Sequence, residues 1–207
     1  MPMRNRRRTS GISPMAALVF QGAIGVLGLV AILIFDIAVP LLGPGLWHSL
    51  LYGAIGALLT YVTLLLFTQI PGLLPDNLER QMQGLYNFAS SYSRTMLIVL
   101  SLLAGIGEEL LFRGAVQGWL LEHTNATVAV LAASVFFGLV HYVSFTYFLI
   151  ATGLGLILGV AYVLSESIAL VMIWHAVYDM IALFCLLRFP RWFGVREAGS
   201  GHSEHQE

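Results

Sequence analysis

Two adjacent carboxylates and an arginine lie in the middle of an apolar run of the sequence. Glu108 and Glu109 are followed by Arg113, and the run from 95 to 120 around them is hydrophobic enough to lie in a membrane. One ionised side chain at the bilayer centre costs roughly 2.5 to 3.5 kcal/mol. These three residues therefore need mutual pairing, a polar cavity or both, and they are the first candidates for a chemical role.

The spacing of the three residues separates their roles. Glu109 and Arg113 are four residues apart, so on a helix their side chains meet and form an ion pair with the acid first. Glu108 points about 100° away from Glu109 around the helix axis. The pairing leaves Glu108 aimed elsewhere, and a desolvated carboxylate beside a second one is suited to take up and return a proton.

Two histidines and an aspartate fall in later apolar runs. His141 closes the segment Phe-Phe-Gly-Leu-Val-His, and His175 precedes Asp179 by one helical turn. An aspartate at this spacing can accept the imidazole N–H, or it can join the imidazole as a metal ligand. A single such histidine is more often a packing residue than a catalyst. Ionisable groups in three separate runs are together explained by one polar cavity.

This set of side chains predicts hydrolysis with water as the attacking group. Two carboxylates and two imidazoles are present, and no Ser or Cys nucleophile is paired with a base. Either general base catalysis or a metal-bound water fits the set. A His-Glu-x-x-His helix is absent, so metal ligands would come from separate helices around one zinc or another divalent ion. The candidate ligands are Glu108, His141, His175 and Asp179.

Composition indicates an integral membrane protein. Of the 207 residues, 58% are hydrophobic and only 10% are charged, and the mean hydropathy is +0.83. Soluble domains carry roughly 25% charged residues. Cys185 is the single cysteine, which excludes an intramolecular disulfide and a cysteine-based metal cluster. The expected partners are membrane lipids and a protein or peptide substrate, and no nucleic acid.

The predicted fold is all-α, a polytopic bundle of about six transmembrane helices with one short amphipathic helix. Each apolar run is close to the roughly 20 residues that cross a bilayer as a helix. The mixed segment 78–92 has apolar residues at helical spacing, which predicts the amphipathic helix. The apolar runs are 15–39, 49–70, 95–120, 126–143, 146–164 and 167–187.

The charge distribution predicts the domain organisation and the topology. Segment 1–14 is a basic tail, 15–190 is a single membrane domain with the candidate motifs in 95–187, and 191–207 is expected to be disordered. With six spans, all arginines except Arg113 fall on one side, which should be the cytoplasm and hold both termini. The first run exceeds the core of a signal peptide, so it is interpreted as an uncleaved span.

Three motifs resemble those of the CPBP intramembrane proteases, which include CAAX prenyl endopeptidases and bacteriocin-processing or immunity proteins. The first is Glu-Glu-x-x-x-Arg at 108–113 and the second is Phe-x-x-x-His, with Phe137 and His141. The third is His-x-x-x-Asn/Asp, with His175 and Asp179. Their order, spacing and placement in apolar runs agree with the family over about 95–187.

The resemblance implies a role for each residue of the motifs. Glu108 would activate the hydrolytic water with help from His141, while His175 and Asp179 would position the water or stabilise the oxyanion. Glu109 and Arg113 would hold the site together, and Phe137 would pack. An ionised aspartate accepts hydrogen bonds only, so Asp179 is protonated, orients His175 or binds metal.

The predicted function is therefore an endopeptidase of a bacterial-type inner membrane that cleaves protein or peptide substrates at or within the bilayer. Two alternatives of other classes remain. Buried Glu, His and Asp also form the relays of proton or ion transporters. A non-catalytic membrane scaffold or immunity protein could keep the same residues as structure.

Overall fold

Helices make up nearly all of the structure, a computed structural model that describes residues 12–70 and 78–195. None of the described residues lies in a β-strand. The segment from 94 to 123 is one continuous helical stretch with a π-helical centre. The elements are α1 Pro14–Ile34, α2 Leu46–Thr68, α3 Leu78–Ser90, α4 Arg94–Glu109, the π segment Leu110–Gln117, α5 Gly118–His123, α6 Ala126–Val140, α7 Phe145–Ser165, α8 Ile168–Arg188 and a 3-10 turn Pro190–Phe193.

The predicted polytopic helical bundle is confirmed. Five helical stretches among the described residues are long and apolar enough to cross a membrane: α1, α2, the stretch 94–123, α7 and α8. The sixth predicted span is the shorter apolar helix α6, which ends one residue before His141. The predicted amphipathic helix is α3.

Hydroxyl and amide side chains determine where several helices begin. Ser93, Asn125, Ser144 and Ser167 each accept a hydrogen bond from a backbone N–H in the first turn of the helix that follows. Such caps satisfy donors that a helix start leaves unpaired, and each contributes about 1 kcal/mol. The caps therefore explain why short breaks separate long apolar helices.

Helix α8 lies centrally and packs against α2, α4 and α7. The approach of α4 to α8 is close because Gly105 faces Ala176: a Cβ at 105 would lie 2.7 Å from the Ala176 backbone nitrogen. Leu158 of α7 and Val171 of α8 are fully buried in the main apolar cluster. This packing brings the backbones of α4 and α8 close together, and these two helices carry most of the candidate residues.

The start of α1, helix α3 and the 3-10 turn meet at one end of the bundle. Tyr92, just after α3, donates its hydroxyl hydrogen to the Ile12 carbonyl at 2.7 Å. The 3-10 turn continues past the predicted domain boundary at 190, and Val195 is only 3% exposed. The structure therefore describes residues 191–195, which the sequence places in the tail. The rest of that tail and residues 1–11 lie outside the described residues.

Candidate functional site

The π segment brings two polar side chains onto helix α7. Arg113 donates to the Gly155 carbonyl at 3.0 Å, and Gln117, one turn later, donates to the Gly159 carbonyl at 3.0 Å. A Cβ at position 159 would lie 2.8 Å from Gln117 Oε1, so glycine at this position gives the amide room to reach the α7 backbone. Short π-helical stretches inside α-helices occur frequently at functional sites. Here the segment directs the arginine inward.

Glu109 is the centre of a buried charged network. Its Oε1 accepts one hydrogen bond from Arg113 Nη1 at 2.8 Å and another from His175 Nδ1 at 2.8 Å. The Glu109 and Arg113 side chains are 0% and 1% exposed. The predicted ion pair is therefore present. Glu109 also holds the imidazole of His175 on α8, a contact that residue spacing in the sequence does not predict.

Phe137 packs between the charged groups. Its ring lies under the Arg113 guanidinium at 4.8 Å, and its centroid is 4.4 Å from that of His141 and 5.9 Å from that of His175. A guanidinium over an aromatic face gains electrostatic stabilisation, which is larger when water is excluded. Phe137 thus spaces the two imidazoles, as expected of a packing residue.

Glu108 faces away from this ion pair, as its position on the helix predicts. Its Oε1 accepts a hydrogen bond from Gln21 Nε2 at 2.7 Å. Its Oε2 lies 3.4 Å from His141 Nε2 and 3.9 Å from His175 Nε2. One carboxylate oxygen is thus held by an amide, while the other is directed at two imidazoles.

The hydrogen bonds on the far sides of the two imidazoles define their tautomers. His141 Nδ1 bonds the Phe137 carbonyl at 2.8 Å, and a carbonyl only accepts, so this nitrogen carries hydrogen. His175 Nδ1 carries hydrogen for the same reason, since it faces the arginine-paired carboxylate of Glu109. In the neutral form of each ring, the Nε2 lone pair is therefore the one that points towards Glu108.

Asp179 approaches the same place from α8. Its Oδ2 lies 3.8 Å from His175 Nε2, beyond direct hydrogen-bond distance, and its side chain is 30% exposed. Asp179 therefore makes no direct hydrogen bond that could orient His175, since Nε2 is too far away and Nδ1 is held by Glu109. Asp179 instead borders the accessible side of the site.

An apolar cavity of about 520 Å³ opens from the site between α1, α2, α3, α4 and α8. Gln21 and Asp179 line it next to Glu108, and its remaining lining is mostly apolar. Helix α3 contributes Met82, Leu85 and Phe88 to the lining. The cavity therefore provides room for an apolar group directly beside the polar groups that converge on Glu108.

Four side chains, Glu108 among them, offer donor atoms for a metal ion. The candidate ligands are Glu108, His141, His175 and Asp179, with separations of 3.4 to 3.9 Å between the paired donor atoms. Within 12–70 and 78–195, no group of three or more His, Cys, Asp or Glu side chains is arranged so that it could hold a metal ion. His202 and His205 lie outside the described residues.

Two residues of the site were missed in the sequence. Gln21 of α1 contacts Glu108, and Gln117 continues the contact of Arg113 with α7. Each is an isolated amide in an apolar run, and that is the signal that could have found it. The partner of Gln21, however, is 87 residues away in the sequence, and that of Gln117 is 42 residues away. Periodicity within one helix cannot predict contacts over such separations.

Comparison with known proteins agrees with this site. Residues 90–181, which include all three motifs, match the family model described as type II CAAX prenyl endopeptidase Rce1-like. Searches of curated proteins and of solved structures gave no significant match. The family supports a membrane protease and agrees with the predicted CPBP resemblance. The region of this chain that carries the site, residues 90–181, is therefore similar to the Rce1-like type II CAAX prenyl endopeptidases, which is consistent with the CPBP family.

Proposed function

We propose that the protein is an intramembrane endopeptidase in which Glu108 is the general base towards water. The observation that carries the proposal is the convergence of His141 Nε2 and His175 Nε2 on Glu108 Oε2, at 3.4 and 3.9 Å. These separations are long for direct hydrogen bonds and leave the groups able to share a bridging water. A carboxylate within reach of such a water can take its proton as the oxygen attacks a peptide carbonyl.

The proton taken by Glu108 goes to the leaving amine. One O–H bond of water breaks as its oxygen bonds the carbonyl carbon, and the tetrahedral intermediate then releases the amine. Glu108, assisted by His141, returns the proton as the C–N bond breaks, so that the carboxylate is regenerated. The hydrogen bond between His141 Nδ1 and the Phe137 carbonyl keeps Nε2 directed at Glu108 throughout.

His175 is proposed to stabilise the oxyanion. The site holds one guanidinium and three carboxylates, which belong to Glu108, Glu109 and Asp179. Protonation of the imidazoles therefore brings the net charge of the site closer to zero. A protonated His175 donates from Nε2 to the developing negative charge. Asp179, an acceptor when ionised, supports that imidazolium rather than contacting the oxyanion.

The cavity suggests the class of substrate. Its apolar lining beside Glu108 favours substrates with a hydrophobic side chain or a hydrocarbon chain close to the scissile bond. A prenylated C-terminal peptide and a segment of a membrane protein both meet this requirement. The proposed location is a bacterial inner membrane, with both termini in the cytoplasm.

Filling the cavity should therefore discriminate against substrates with large apolar groups. With Ala182→Phe, we expect KM for a lipid-modified peptide to rise about tenfold, equal to about 1.4 kcal/mol of binding, and KM for its unmodified counterpart to change little. Ala182 lines the cavity. The assay uses purified protein in lipid nanodiscs and identifies products by mass spectrometry.

The matched control for this experiment is Ala132→Phe, because Ala132 lies on the exposed face of α6. It should leave both KM values unchanged. Equal effects of Ala182→Phe on both peptides would contradict the cavity assignment. If wild-type protein cleaves no member of a broad pool of modified and unmodified peptides, the proposal of an endopeptidase is wrong.

Hydrolysis is expected to survive removal of divalent metals. Glu108 supplies the base in the proposed reaction, and the water that it activates needs no metal ion. After dialysis against a strong chelator, kcat should stay within about twofold of its starting value, with metal content followed by elemental mass spectrometry. Loss of activity that zinc restores, with one zinc per chain that His141→Ala removes, would instead establish a metallopeptidase.

A further inference from the structure

Helix α1 lies outside the region that matches the family, yet it reaches the proposed base. Gln21 of α1 donates from Nε2 to Glu108 Oε1 at 2.7 Å. We infer that Gln21 is a positioning residue that holds the Glu108 carboxylate in its reactive orientation, and that α1 is thereby part of the hydrolytic site. The inference rests on the proposed role of Glu108 as general base.

The packing of α1 explains how this amide reaches the base. Gly25 lies against Gly107, the residue before Glu108: a Cβ on Gly25 would be 3.1 Å from the Gly107 Cα. Gly28 lies against the π segment, where a Cβ would be 2.5 Å from the Leu111 backbone nitrogen. Helix α1 therefore touches the backbone on both sides of Glu108. Gln21 is one turn before Gly25, so this contact places its amide beside the carboxylate.

The hydrogen bond from Gln21 gives the two oxygens of the Glu108 carboxylate different partners. Because Oε1 is held by the amide, Oε2 is the oxygen that faces His141 and His175. Donation to the ionised carboxylate also favours the charged form that a general base requires. Without this bond, Glu108 could rotate and exchange its two oxygens.

Gln21 differs from the other groups around Glu108 because it carries no charge. It therefore supports the carboxylate equally across the pH range, whereas its titratable neighbours change with pH. Six charged or titratable groups face Glu108. They come from its own helix, from the π segment and from the elements packed against these two, and they are Glu109, Arg113, His141, Tyr147, His175 and Asp179.

The test is Gln21→Met in the full chain, in nanodiscs, since methionine has a similar shape and no N–H donor. We expect kcat to fall about 10- to 100-fold, the range for a hydrogen bond to a charged group. We also expect the acidic limb of the kcat/KM pH profile to move to higher pH by about one unit, because the ionised base has lost a donor. Gly22→Ala is the control on the same helix turn. A Cβ at 22 has no neighbour within 4 Å, so both quantities should stay at wild-type values.

A second variant separates positioning from folding. Gly28→Ala forces α1 away from the π segment, so kcat should fall, and adding Gln21→Met to it should cause little further loss because both changes remove the same contact. Full additivity of the two changes would overturn the role of α1. A fall in kcat for Gln21→Met with an unmoved acidic limb would mark Gln21 as a packing residue and overturn the inference.

The outcome with Glu108→Gln distinguishes this inference from the proposed function. If Glu108→Gln is inactive while Gln21→Met matches wild type in both kcat and pH profile, only the role of Gln21 is wrong. If Glu108→Gln cleaves as fast as wild type, the assignment of the base is wrong, and the inference is overturned with it.

Discussion

Glu108→Gln should lower kcat for peptide hydrolysis by roughly 10²- to 10⁴-fold, the usual contribution of a general base. The variant should remain folded, because a glutamine at 108 can still accept from Gln21 at its carbonyl oxygen and can donate its amide hydrogens to His141 Nε2. KM should change little, since the cavity that binds the apolar group is untouched. The measurement is the rate of product formation in nanodiscs, with helicity checked by circular dichroism.

The matched control for this prediction is Glu166→Gln. Glu166 is an exposed carboxylate at the C-terminal end of α7, so its amide variant should cleave as wild type does. A folded Glu108→Gln protein with wild-type kcat would show that another group activates the water.

Arg113→Met should cause the largest loss of stability in the molecule. Arg113 is 1% exposed and pairs with Glu109, which is fully buried, so its removal leaves a buried carboxylate without its countercharge. Breaking a buried pair in this way costs about 3 to 5 kcal/mol. The donor to the Gly155 carbonyl and the cation over Phe137 are lost as well. The free energy of unfolding, measured by titration with a denaturing detergent in mixed micelles, gives the size of the effect.

The double variant Glu109→Met with Arg113→Met separates stability from activity. Removing both charges should recover much of the lost stability, because replacing a buried ion pair with apolar residues is often neutral. Hydrolysis should not recover, since His175 Nδ1 has lost its acceptor and the ring is no longer oriented. Recovery of both would mean that Glu109 does not orient His175. Arg94→Met, at an exposed position, should stay within about 0.5 kcal/mol of wild type.

The length of apolar runs predicted the helical elements because a helix that crosses a membrane satisfies its own backbone and faces lipid. The run 167–187 corresponds to Ile168–Arg188, and 146–164 to Phe145–Ser165. The π segment was not predicted, because it depends on contacts of Arg113 and Gln117 with α7 rather than on local sequence. The limits of α6 also escaped prediction: its run continues in apolar residues past 140, where the helix ends.

Within the site, residue spacing was enough to predict the contacts and directions of side chains on one helix. Four-residue spacing predicted the pair of Glu109 with Arg113, and the helical turn predicted that Glu108 would point elsewhere, because both follow from the geometry of one helix. The contacts between groups on different helices, in contrast, become visible only when the helices are packed together. Glu109 rather than Asp179 holds His175, and Gln21 reaches Glu108 from a helix 87 residues away. These contacts depend on how closely helices pack, and that is determined by glycines on facing helices together, such as Gly25 and Gly107, rather than by a pattern within any one segment.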